Sequence, residues 1–168
     1  MAVIANLVVG SNGGTTLDGR SRGLSTPADR ERFHELRKRA DAIVIGGQTS
    51  RFEPYSKTPV PLIVLTRKPT LPGSAATNPQ AILSGGDLVE TLAHFSPIYP
   101  VILIEAGATL VVVALQSGLL DELFLTEVKT FGGEPFLTSC PEDYGLVLLE
   151  ESQSQQERFL HYARLPAR

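Results

Sequence analysis

The sequence predicts an α/β domain: a mainly parallel central sheet with helices on both faces and an antiparallel hairpin at the C-terminal end. Three observations carry that expectation. Short apolar runs alternate with segments of helical period, as strands and covering helices do in a parallel sheet. Two of the strand-like runs end on small-residue turns that lead into helix. The last two runs, Leu146–Glu150 and Phe159–Arg164, are separated by a polar turn, Glu151–Gln156, which suits an antiparallel return.

Each element has its own signal. Ala2–Val9 reads as a buried strand, followed by Gly10–Leu24, a Gly-, Ser- and Thr-rich loop of functional character. Thr26-Pro27-Ala28-Asp29 supplies an N-cap, a proline at the first helical position and an acid three residues past the cap. That helix runs to about Arg39 with Phe33, Leu36 and Ala40 on its buried side. Ala42–Ile45 and Leu62–Leu65 are the next strands, and the proline-bearing Thr66–Gln80 is a connection. A short strand at Ala81–Leu83, a helix from Asp87 to His94 and a strong strand at Val101–Ile104 follow. Val111, Val112 and Val113 favour strand by propensity, yet strands flank them on both sides, so a helix ending at the C′ glycine Gly118 is expected. Glu122–Val128 completes the parallel part.

Composition narrows the function. The chain has 168 residues, 42% hydrophobic and 20% charged, which supports one well-buried domain spanning 1–168. A net charge of -3 argues against a general nucleic-acid or anionic-membrane binder. Cys140 is the single cysteine, so there is no internal disulfide and no thiolate-rich metal site. The three histidines, His34, His94 and His161, show no metal spacing. Met1–Val9 reads as a strand rather than a signal peptide, and no stretch approaches the roughly 20 apolar residues of a membrane span. A soluble cytoplasmic protein is the expectation.

Chemistry has three candidate places. In Ile104-Glu105-Ala106-Gly107-Ala108-Thr109-Leu110 a strand meets small residues at a helix start, where backbone N–H groups and the helix dipole attract phosphate. A tight turn with no ligand fits the same letters. In Ile45-Gly46-Gly47-Gln48-Thr49 a second strand meets a glycine pair, with Thr49 placed to cap a short helix. Two ordinary glycine turns would read alike, and the spacing is not the G-x-G-x-x-G fingerprint. Thr66-Arg67-Lys68 sets a hydroxyl and two cations after a strand, suited to the 2′-phosphate of NADPH or to a solvated basic turn. Among the cations of the first helix, Arg37 follows Leu36 and is the one placed to meet a substrate phosphate.

Taken together, Thr15–Arg39 (TTLDGRSRGLSTPADRERFHELRKR), Ala40–Glu53 (ADAIVIGGQTSRFE) and Leu103–Leu125 (LIEAGATLVVVALQSGLLDELFL) resemble a known family. It is the C-terminal reductase domain of bifunctional riboflavin-biosynthesis proteins, with the stand-alone pyrimidine reductases related to it. The likeness runs from Val3 to Arg164. It implies a dihydrofolate-reductase-like fold, a homodimer, and hydride transfer from NADPH to a phosphorylated ribosylaminopyrimidine, giving the ribitylamino product. It further implies that Val8, Thr49, Glu53, Thr66, Arg67, Gly107, Ala108, Thr109 and Leu110 hold the cofactor. Ser21, Arg37 and Glu105 would meet the substrate, with Glu105 and Glu53 positioning the reacting groups and no metal taking part.

Three departures stand out. By spacing, the family's S-x-D-G loop falls on Gly10-Ser11-Asn12-Gly13, whereas by letter it falls on Thr16-Leu17-Asp18-Gly19. The E-G-G motif reads Glu105-Ala106-Gly107, and the proline common after Leu-Thr is absent from Leu125-Thr126-Glu127. A dihydrofolate or pterin reductase is one rival, weakened by the zero tryptophan count. A non-catalytic nucleotide-binding homologue is the other, suggested by Asn12 and Ala106. No H-x-E or P-C-x-x-C motif is present, so a zinc deaminase half is not expected.

Overall fold

Continuous rather than alternating apolar runs require a strand to be covered on both sides. Ile43–Ile45, Leu62–Val64 and Ile102–Ile104 are all fully buried, so these three strands form the middle of the molecule. The computed structural model describes residues 1–165. Its strands and helices are β1 (Ala2–Gly10), β2 (Gly14–Thr16), α1 (Pro27–Arg39), β3 (Ala42–Gly46), α2 (Gly47–Phe52), β4 (Leu62–Leu65) and β5 (Ala81–Ser84). Then come α3 (Leu88–Phe95), β6 (Val101–Ile104), α4 (Ala108–Gln116), β7 (Glu122–Val128), β8 (Gly133–Phe136), β9 (Leu146–Gln153) and β10 (Glu157–Arg164).

One sheet runs β5-β4-β3-β6-β1-β7-β10-β9. The first six strands in that order are parallel, and β10 and β9 return antiparallel beside β7. Each side carries its own core. Ala5, Leu7, Ile102 and Ile104 pack on Leu92 of α3 and on Val111 and Leu115 of α4. Ile4, Ile43, Ile45 and Leu103 pack on Leu36 of α1 and on Tyr55. The parallel strands share one carboxyl edge, and β6 enters between β3 and β1, so the chain reverses its winding there.

The helices end as their sequences dictate. Thr26 Oγ1 accepts from the Asp29 N–H at 3.1 Å to open α1. Asp87 and Glu90 form a reciprocal capping box on α3. Gly118 closes α4 with φ of +70°, so the valine run is helical as its flanking strands demand. Four details differ from the sequence reading. Gly46, not Thr49, is the N-cap of α2, and Thr49 lies inside the helix. β9 continues to Gln153, shortening the hairpin turn. A 3-10 turn, Gly73–Thr77, interrupts the expected connection. The unforeseen β2 and β8 pair as a two-stranded sheet at the mouth of the carboxyl edge, because neither is apolar enough to announce itself.

Candidate functional site

The two small-residue turns meet. A side chain at Gly46 would start 3.4 Å from Leu110 Cδ1, and one at Gly47 would start 3.3 Å from Thr66 Cβ. Gly46–Thr49, Thr66 and Gly107–Leu110, three separate places in the sequence, therefore form one surface at the ends of β3, β4 and β6. Gly107 caps α4 with φ of -64° and ψ of 173°, and no side chain caps the helix. Among the described residues the Ala108 and Thr109 N–H groups have no protein acceptor. Ala108 is buried and Thr109 exposed. Thr66 Oγ1 accepts from the Lys68 N–H at 3.2 Å, which folds the basic turn back on its strand. Arg67 and Lys68 project into solvent without ion pairs among the described residues.

Beneath this surface lies a charged cluster on the α1 side of the sheet. Arg37 Nε and Nη2 donate to Glu105 Oε1 and Oε2, both at 2.7 Å, and the Tyr55 hydroxyl donates to Oε2 at 2.9 Å. The Arg37 guanidinium also covers the Phe33 ring at 4.3 Å. Burial works to lower the Arg37 pKa, but the hydrogen bond and charge of Glu105 outweigh it and hold the group above its ordinary value. Burial, with the Glu105 charge adding to it, pushes the Tyr55 phenol well above its ordinary value. The sequence reading sets Arg37 at a substrate phosphate and Glu105 separately at the substrate, positioning the reacting groups. The structure places them on each other.

Ser21 and Glu53, assigned to different ligands, also meet. Glu53 Oε1 accepts from the Ser21 N–H at 2.7 Å and from its hydroxyl at 2.9 Å, tying the end of α2 to the loop before α1. Val8 lies at the carboxyl end of β1, its side chain packed with Leu24 and Val128.

Sequence reasoning missed three residues here. By sequence Asp29 is only the acid of the helix cap, yet its side chain turns inward. Oδ2 accepts from Ser25 Oγ at 2.6 Å while Oδ1 is buried without a partner. Thr126 Oγ1 and Asn6 Oδ1 are likewise buried and unpartnered among the described residues. Asn6, Val8 and Thr126 alternate with core positions on β1 and β7 and point to the α1 side, as Phe124 does beside Leu36. An unpaired buried oxygen costs about 1–3 kcal/mol, so Asp29 on α1 together with Asn6 and Thr126 on the strands beneath it marks a polar contact surface. A polar residue inside an apolar strand was the available signal.

The sequence profile of the RibD C-terminal domain matches residues 2–156. The chain belongs to the RibD C-terminal domain family. No curated protein matches it. Among solved structures it is similar to a putative riboflavin biosynthesis protein from Shewanella, with 21% identity and TM-score 0.73 over 99% of this chain and 100% of that one. A diaminohydroxyphosphoribosylaminopyrimidine deaminase/5-amino-6-(5-phosphoribosylamino)uracil reductase from Thermotoga maritima matches with 15% identity and TM-score 0.71, over 98% of this chain and 56% of that one. A dihydrofolate reductase from Enterococcus faecalis complexed with NADP(H) matches with 19% identity and TM-score 0.70, over 97% and 96%. The chain thus spans little more than half of the bifunctional protein. These likenesses show a dihydrofolate-reductase-like fold.

Two of the departures from the RibD C-terminal pattern have structural answers. Asn12 lies in the turn that ends β1, while Asp18 and Gly19, with φ of +52° and +76°, form the tip of a separate hairpin bridged by Leu17 and Arg20. The two candidate positions for that loop are thus two separate turns. Ala106 is buried, and Asp18 is the one non-glycine residue with positive φ among the described residues, so the added methyl strains nothing. No cluster of three or more His, Cys, Asp or Glu side chains suited to a metal occurs among the described residues. No described helix is long and apolar enough to cross a membrane.

Proposed function

We propose that this RibD C-terminal domain is an NADPH-dependent pyrimidine reductase acting on a phosphorylated ribosylaminopyrimidine of riboflavin biosynthesis. The observation that carries this reading is the meeting of the Gly46–Thr49 and Gly107–Leu110 turns beside Thr66. The residues there fit a dinucleotide. The Ala108 and Thr109 N–H groups have no protein acceptor among the described residues and would serve a pyrophosphate, Gly107 leaves room for close approach, and Arg67 supplies a cation for the 2′-phosphate.

When bound, the nicotinamide supplies the hydride that reduces the opened sugar imine at C1′. The chain's own part is position and electrostatics. Thr49 and Thr66 would flank the cofactor, Val8 would line its nicotinamide side, and Ser21 with Glu53 would close the loop over it. The Arg37–Glu105 pair, braced by Tyr55, would hold the substrate's sugar end in place through the partly exposed edge of Arg37. Asp29 Oδ1 and Thr126 Oγ1 suit the N–H donors of an aminopyrimidine ring. A pterin carries the same ring edge, which keeps dihydrofolate as the second reading. NADPH oxidation measured with the ribosylaminopyrimidine phosphate, with dihydrofolate and with neither separates them. Turnover of the first alone is expected, and turnover of dihydrofolate alone would replace this reading.

A cytoplasmic homodimer completes the proposal. Val147 and Leu149 on the edge strand β9 are 43% and 50% exposed, leaving an apolar strip that a second copy would cover. Light scattering at micromolar concentration should return about twice the 18.1 kDa of one chain.

A further inference from the structure

The turn that ends β1 and the segment leading into β8 touch backbone to backbone. A methyl group added at Gly10, Gly14 or Gly132 would fall inside contact distance of backbone atoms in the opposite segment. Only glycine permits this approach. Asn12 sits in the contact. Its Nδ2 donates to the Gly132 carbonyl at 2.9 Å, and its Oδ1 accepts from the Gly132 N–H at 2.8 Å and the Gly14 N–H at 3.2 Å. One side chain thus satisfies both polar groups of Gly132. An ionised aspartate has no donor for that carbonyl and would set oxygen against oxygen. The amide is what the contact requires.

The same strap reaches the candidate site. Thr15 Oγ1 donates to the Pro135 carbonyl at 2.7 Å, Thr16 Oγ1 to the Glu134 carbonyl at 2.8 Å, and the Leu137 N–H to the Gly13 carbonyl at 2.8 Å. Pro135 is thereby held beside Gly107, its Cγ 3.6 Å from where a side chain on Gly107 would begin. We propose that Asn12 is a positioning residue for the dinucleotide. By clamping Gly132 it sets the gap between Pro135 and Gly107, and with it the affinity for a pyrophosphate-bearing cofactor. The identity of that ligand rests on the reductase reading above.

Asn12→Asp is a built-in switch for the test, because a protonated carboxyl has the donor and acceptor of an amide and an ionised one does not. Glu127, Cys140 and Tyr162 line the cavity that Asn12 borders, and Lys129 and Glu134 lie on the facing segment. These groups are common to wild type, Asn12→Asp and Asn12→Ala, so comparison at each pH isolates position 12. NADP+ affinity is measured by calorimetry at pH 8 and pH 4, the lower value chosen because an ordinary aspartate titrates near about 3.9, with melting curves to confirm folding and hydrogen exchange over residues 105–111 and 130–137. Relative to wild type, Asn12→Asp should bind roughly tenfold more weakly at pH 8, about one hydrogen bond's worth, and regain most of that affinity at pH 4. Asn12→Ala should stay weak at both. A folded Asn12→Asp that binds like wild type at pH 8, or that stays as weak as Asn12→Ala at pH 4, overturns the proposal. If wild type binds no NADP+, the reductase reading fails separately and the exchange data decide. Protection lost at pH 8 and regained at pH 4 over both segments supports the clamp. Loss confined to 130–137 overturns it.

Discussion

Arg37 and Glu105 stand 68 positions apart in the chain and meet in a two-point ion pair, both contacts at 2.7 Å, with the Glu105 side chain 1% exposed. A carboxylate so placed depends on its partner, since desolvating an unpaired charge costs more than the pair returns. Arg37→Ala should therefore destabilise the fold by about 3–5 kcal/mol in urea unfolding. Arg37→Lys keeps the charge but not the planar fork, and should fall between. Replacing both partners with Met and Leu should cost less than Arg37→Ala alone. A loss under about 1 kcal/mol for Arg37→Ala would mean that the pair is not buried as described.

Tyr55 gives the cluster a pH signature. Its folded pKa is raised, by burial first and the Glu105 charge second, so the neutral phenol favours the folded state. That contribution is complete below the unfolded value of about 10 and is lost as pH climbs above it. The stability advantage of wild type over Tyr55→Phe should be constant up to about pH 9 and shrink above pH 10. The other tyrosines titrate in both proteins and cancel. An advantage that holds unchanged to pH 11 would contradict the buried, carboxylate-facing phenol.

Arg67 is exposed and forms no ion pair among the described residues, so its guanidinium is available to a ligand. A charge-assisted contact to a 2′-phosphate contributes on the order of 1.5–3 kcal/mol, or roughly tenfold to a hundredfold in affinity. Arg67→Ala should lower NADPH affinity by that factor and leave NADH affinity unchanged, as read by fluorescence titration. Equal binding of both cofactors by wild type would remove the specificity argument.

The sheet was legible because its strands are Ile-, Val- and Leu-rich runs buried on two faces, and the helices because their caps are written in the sequence. Thr26, Asp87 and Gly118 each announce a boundary. β2 and β8 were not legible. Gly133–Phe136 is exposed throughout, and its pairing is held by threonine hydroxyls and Asn12 reaching residues about 120 positions away. Site residues were nameable one at a time, but their partners were not. The meeting of Arg37 with Glu105, or of Ser21 with Glu53, depends on which helix lies over which strand end. Asp29 was hidden for a further reason. An acid at that position already has an accepted explanation as a capping residue, and only the direction of its side chain shows otherwise.

Gly107 offers the sharpest separation of fold from function. Its φ of -64° and ψ of 173° are open to any residue, and the nearest atom to an added side chain is Pro135 Cγ at 3.6 Å, an ordinary contact. The fold itself therefore does not require glycine there. Gly107→Ala should leave stability unchanged or raise it by about 0.4–1 kcal/mol through the unfolded chain. If pyrophosphate lies against this backbone, the same methyl meets the ligand, and NADPH affinity should drop at least roughly tenfold, with Gly107→Val worse. Ala106 should behave in the opposite way. It is buried with unstrained backbone, so Ala106→Gly should cost about 0.5–1 kcal/mol of stability and change NADPH affinity little. Calorimetric titration paired with thermal melts reads both effects on the same samples. Wild type that binds no NADPH at millimolar concentration, while Ala106→Gly does, would reveal a decayed site and favour the non-catalytic homologue. Gly107→Ala that binds as tightly as wild type would move the dinucleotide away from this turn altogether.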